Sequence, residues 1–128
     1  DMEDASWNAD SSYNFEFNID DTEVEYQISY IIRNNLEYPY HNLFLQYFLY
    51  NPDKEKIKTD IQEVILMDQK TGRPYGKGFS GIYQNSFISN SNIKFKKKGT
   101  YSFLLKHYMR GETVNGIQSI GIEVTKMK

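Results

Sequence analysis

Two histidines, two clusters of carboxylates, one glycine-rich stretch and a run of lysines are the residues of this 128-residue chain whose types could do chemistry. His41 and His107 with a carboxylate would hold zinc only if the fold brought them together, and neither lies at a metal-type spacing. Asp20-Asp21-Thr22-Glu23 lacks the ligand pattern of a helix–loop–helix calcium site, and Asp53 with Glu55 forms no set alone. Gly72-x-x-x-Gly76-Lys77-Gly78 has too few residues between its glycines for a phosphate loop, and no Ser or Thr follows the lysine. It reads as a flexible loop suited to docking. Gly78-Phe79-Ser80-Gly81 is too short for a nucleophile elbow. The chain has no cysteine, so it has no disulfide, thiolate site or cysteine nucleophile. The residues therefore predict no enzyme, no metal and no cofactor.

The cations carry a weaker signal. Lys94 and Lys96 to Lys98 read as a solvated turn that keeps a sheet edge from pairing, with contact to an acidic lipid or polymer as the lesser option. Arg33 and Arg110 each end an alternating run, where a bidentate pair with Glu37 or Glu112 would pin a corner. Net charge is −2 with both signs well mixed. That balance predicts no nucleic-acid partner and no general attraction to anionic membranes.

The elements that must position these residues are strands. Val24, Tyr26, Ile28, Tyr30 and Ile32 recur every second residue, as do Leu43, Leu45, Tyr47 and Leu49, which is the period of extended chain with one buried face. Between the two runs lies a polar joint, residues 33–42. Further strands are predicted at 13–19, at 61–68, near 93–95, at 101–109 and at 117–126. Residues 54–60 read as a loop or short helical turn, 69–81 as a long loop, and 82–88 as a short strand or 3₁₀ turn. Gly116 sits where a turn needs positive φ. About seven or eight short strands punctuated by Gly, Pro, Asn and Asp predict an all-β antiparallel sandwich, immunoglobulin-like or jelly-roll-like. Residues 1–12 read as a flexible leader with Trp7 docked on the domain, and 13–128 as a single domain. No run of 18 apolar residues exists, and no secretory signal is visible at the start.

Aromatics make up 16% of the chain, with eleven Tyr, eight Phe and one Trp. They suit cross-strand core packing first and, as a sharper alternative, an exposed platform for a sugar.

The order of several short motifs resembles the gliding motility lipoprotein GldH family of Bacteroidota. The residues that carry this are Arg33-Asn34, Tyr38-Pro39-Tyr40 and Asn42-Leu43. The glycines Gly72, Gly76, Gly78 and Gly81, the strand start Gly99-x-Tyr101-x-Phe103 and Met109-Arg110 follow. Gly116-Ile117-x-x-Ile120-Gly121-Ile122 closes the set, and Trp7 falls where that family has a tryptophan. The resemblance implies a non-enzymatic cell-envelope lipoprotein held by an N-terminal lipid anchor, which this chain does not itself include, and facing the periplasm. Its implied partners are other envelope or secretion-machinery proteins. Exposed aromatics and Arg on loops are the usual interface anchors. The expected interaction surface is therefore Tyr38 and Tyr40 of the joint, Arg73, Tyr75, Lys77 and Phe79 of the glycine-rich loop, and Arg110. A carbohydrate-binding module is the alternative reading, and a hydrolase with paired acids in a pocket a weaker third.

Overall fold

Alternating apolar residues on each strand can be buried only by a second layer. The computed structural model, which describes residues 6–111 and 113–127, builds that layer from strands alone. In chain order they are β1 (Ser6–Asn8), β2 (Tyr13–Ile19), β3 (Tyr26–Asn35), β4 (Asn42–Tyr50), β5 (Lys56–Ile65), β6 (Lys77–Phe79), β7 (Ile82–Ile93), β8 (Gly99–His107), β9 (Thr113–Asn115) and β10 (Ile117–Lys126). One sheet runs β10-β3-β7-β6, the other β2-β8-β4-β5, and β1 pairs with β9 in a small third sheet. All pairings are antiparallel. The all-β antiparallel sandwich read from the sequence is the observed architecture.

The core is the inner parity of the predicted runs. Ile28, Tyr30 and Ile32 of β3 face Leu43, Leu45, Tyr47 and Leu49 of β4, with Tyr101, Phe103 and Leu105 of β8 beside them, all buried. Fully burying a side chain of this kind contributes about 1.5–3 kcal/mol, so these central strands dominate stability. Tyr47 stacks on Phe103 at 4.9 Å between ring centres.

Several local readings need correcting. Residues 54–60 are not a loop or helical turn: β5 already begins at Lys56 and pairs with β4. As the outer strand of its sheet β5 is exposed on both faces through Ile61, so its sequence shows no period. The expected short element at 82–88 is the twelve-residue β7, running on to Ile93. Phe95 lies beyond it, buried in the turn, and the 69–81 stretch contains β6. Within residues 1–12, Ser6–Asn8 form β1 and Trp7 is wholly buried, while residues 1–5 lie outside the described residues.

Candidate functional site

The strand registers bring the joint, the glycine-rich loop, the end of β8 and the β1·β9 pair to one end of the sandwich. β3 ends at Asn35 opposite Ile82, the start of β7. β4 begins at Asn42 opposite Ile65, the end of β5, and Leu45 faces His107 at the end of β8. Gly116 locks the joint in place. Its φ is +99°, and a Cβ there would lie 2.3 Å from the Tyr38 backbone nitrogen, so no side chain fits. The Asn35 N–H donates to the Gly116 carbonyl at 2.8 Å.

This close approach turns Tyr38 inward. It is 2% exposed, and its hydroxyl donates to the Asn42 carbonyl. Burial, with a smaller contribution from Tyr40, pushes its pKa well above the usual tyrosine value. Tyr38 is therefore placed to support the surface and not to touch a partner. Tyr40 packs edge-on against it at 5.8 Å and is 46% exposed.

Beside Tyr40 opens an apolar groove of about 480 Å³, lined by Tyr40, Phe44, Ile61, Tyr108, Met109 and Arg110. Tyr108, 56% exposed, is held there by its N–H donating to the Phe44 carbonyl at 2.7 Å. The Phe44 N–H in turn meets the Met109 sulfur at 3.2 Å. Phe44 and Ile61 belong to the outward parity of their strands, so the groove lies on the outer face of the β2-β8-β4-β5 sheet. Arg110 supplies the cation among the groove's lining residues. Its expected partner Glu112 lies outside the described residues.

The glycine-rich loop is more ordered than its composition suggests. The Asp68 carboxylate accepts from the N–H groups of Thr71 (3.1 Å) and Lys70 (2.8 Å), which hold its pKa below the usual carboxylate range. Asp68 N–H donates to the Arg73 carbonyl and Gly72 N–H to the Asp68 carbonyl, each at 2.8 Å. Tyr75 is left 59% exposed on this closed turn, its N–H tied to the Leu66 carbonyl. The loop packs on the joint, sharing a shallow depression with Pro39, Tyr40 and His41. Lys77 lies on β6, in a separate hollow with Arg33, Gly78, Ile82 and Gln84. Arg33 Nε donates to Gln84 Oε1 at 2.8 Å, so its corner is pinned by an amide instead of Glu37. The Phe79 side chain lies outside the described residues.

Of the residues named from the sequence the groove takes Tyr40 and Arg110; its other lining residues, Phe44, Ile61, Tyr108 and Met109, were missed. The available signal was parity: Phe44 interrupts the buried Leu43, Leu45, Tyr47 series from the outward side, where a polar residue is expected.

Sequence reasoning also missed a polar network between the sheets. Tyr30 OH donates to Gln62 Oε1, Gln62 Nε2 to the Ser89 carbonyl (2.7 Å), and Ser89 Oγ to Gln62 Oε1 (2.7 Å). Asn90 Oδ1 accepts from both Tyr47 OH (3.2 Å) and Lys58 Nζ (2.7 Å). Burial raises the pKa of both tyrosines, so they act as neutral donors. The network ties β3, β4, β5 and β7 together and offers no activated nucleophile. Among the described residues no three His, Cys, Asp or Glu side chains converge on a metal-sized site. His107 meets the Trp7 ring edge-on at 5.4 Å, and its Nδ1 accepts from the Met109 N–H.

The chain matches the family model described as GldH lipoprotein over residues 1–124. It is 36% identical over 116 residues to a gliding motility lipoprotein GldH homolog of Christiangramia forsetii, covering 89% of this chain and 70% of that protein. It is 28% identical over 127 residues to the gliding motility lipoprotein GldH of Flavobacterium johnsoniae, covering 94% and 77%. Among solved structures, the VP2 subviral particle of infectious bursal disease virus aligns with a TM-score of 0.39 at 10% identity, over 93% of this chain and 28% of that one. That likeness carries no argument.

Proposed function

The chain belongs to the GldH lipoprotein family, and on that premise we propose that its aromatic end docks other envelope proteins of the gliding motility or secretion machinery. Family membership makes it a gliding-motility lipoprotein, lipid-anchored in the cell envelope. The proposed role is non-enzymatic, and the domain faces the periplasm.

The observation that carries the docking reading is the groove between Tyr40, Phe44, Ile61, Tyr108 and Met109, rimmed by Arg110. Aromatic and arginine side chains around a concave apolar site are the composition of interface hot spots. Tyr75 and Arg73 on the ordered loop extend that surface, and Lys77 continues it toward the other sheet.

The test is recovery of partners from the native host. The lipid-anchored protein is crosslinked in cells and the crosslinked species identified, for the parent and for Tyr108→Ala with Arg110→Ala. Repeated recovery of the same envelope proteins, reduced about tenfold or more in the variant, is expected for loss of hot-spot side chains. Equal recovery by the variant removes the groove from the reading. Membrane anchoring without any protein partner overturns docking and turns attention to glycans.

A further inference from the structure

Four strands bound the two main sheets: β10 and β6 on one, β2 and β5 on the other. β5 is distinctive among them. It shares its length of ten residues with β10 but, unlike that half-buried strand, is exposed on both faces through Ile61. The Ile61 N–H points away from β4 and is held only locally, donating to Asp60 Oδ1 at 2.8 Å. Antiparallel ladders alternate direction residue by residue, so Thr59 shares that outward direction with Ile61. Among the described residues no strand pairs with this side of β5.

The charges along this edge have an order. Lys58 precedes Thr59, and Asp60 follows it. Edge lysines commonly prevent pairing by repulsion. Here an antiparallel copy centred on Thr59 would set each Lys58 opposite an Asp60, replacing repulsion with two ion pairs. Both side chains lie on the same parity, toward the inter-sheet side. Lys58 Nζ already donates to Asn90 Oδ1 and has further protons to give.

We propose that β5 is a self-pairing edge, through which two copies of this chain join antiparallel about a twofold axis at Thr59. The two four-stranded sheets would become one continuous sheet. Asp60 would release the Ile61 N–H to the partner's backbone and turn to the partner's lysine. Because Ile61 also lines the apolar groove, the two grooves would flank the axis on one face. This inference is independent of the docking reading: it holds whether or not the groove has a protein partner.

The 128 residues contain no cysteine, which makes the test clean. A Thr59→Cys chain places one thiol at the axis, where directly opposed Cβ atoms lie about 4.5–5.5 Å apart, within reach of a disulfide on small adjustment. Mild oxidation is expected to give a covalent dimer, whereas Asn14→Cys, on the opposite edge of the same sheet, stays monomeric. Sedimentation velocity of the parent is expected to show a monomer–dimer equilibrium. Asp60→Lys, which opposes two lysine pairs, should weaken it about tenfold or more. The double exchange Lys58→Asp with Asp60→Lys should restore it. Circular dichroism and melting of each variant establish that the fold is kept. A monomer at all concentrations, Thr59→Cys crosslinking no faster than Asn14→Cys, or a dimer indifferent to Asp60→Lys each overturns the proposal.

Discussion

Aromatic residues gather at both ends of this sandwich, and the two ends treat them in opposite ways. At one end Phe17, Tyr26, Phe95 and Tyr101 form a ring cluster, Phe95 and Tyr101 only 4.6 Å apart. It is roofed by charged turns in which Lys97 pairs with Asp53 and Lys126 with Asp20. At the other end Tyr40, Tyr75 and Tyr108 stand half-exposed. The ion pairs found among the described residues all lie at the first end. One end therefore completes its own hydrophobic contacts, and the other leaves them open. An apolar surface left open at a fixed geometry is the condition for recognition.

The contrast depends on the scaffold beneath the open end, and its largest test is Trp7. Replacing this fully buried indole by Ala is expected to cost about 3–5 kcal/mol, measured by urea unfolding. If the open end were only loosely attached, the loss would be near zero. Next comes Gly116→Ala, which forces a Cβ into the Tyr38 backbone at a positive φ. It should cost more than about 1 kcal/mol and loosen the joint, seen as increased hydrogen exchange at residues 35–40.

A smaller effect appears in base. Burial raises the pKa values of Tyr38, Tyr30 and Tyr47. The unfolded chain releases these protons near pH 10 while the folded one keeps them, so the unfolded state is favoured as pH climbs. Stability is expected to be flat in this respect below about pH 10 and to fall above it, followed by urea midpoints and tyrosinate absorbance. The smallest effect belongs to the closed end. Lys97→Ala removes a solvent-exposed ion pair and should leave the melting temperature unchanged within error. A clear drop there would mean that the charged roof, and not the rings under it, holds that end together.

The parts of the fold legible in the sequence are those where one face is wet and the other dry. β3, β4, β8 and β10 announce themselves by alternation. β5 does not, because an edge strand wet on both faces carries Lys56, Lys58, Thr59 and Asp60 without a period. β7 hides for the opposite reason: its inward Ser89 and Asn90 are polar yet buried, satisfied by Gln62, Tyr47 and Lys58 from strands distant in sequence. No local pattern can show that satisfaction. The candidate surface was legible where it lies on loops rich in Gly, Pro and Tyr. It was illegible where it depends on Phe44 and Ile61 of two paired strands.

The three-residue clip of β1 on β9 has a mechanical consequence. A pull on the chain ahead of Ser6 reaches the domain first through Ser6–Asn115, Trp7–Val114 and Asn8–Thr113, and only then through β2. The clip takes that load first, and the buried indole is its latch. If it yields, residues 6–12 straighten into a segment at most roughly 23–25 Å long. Trp7, the single tryptophan of the 128 residues, would report the event as a change in fluorescence.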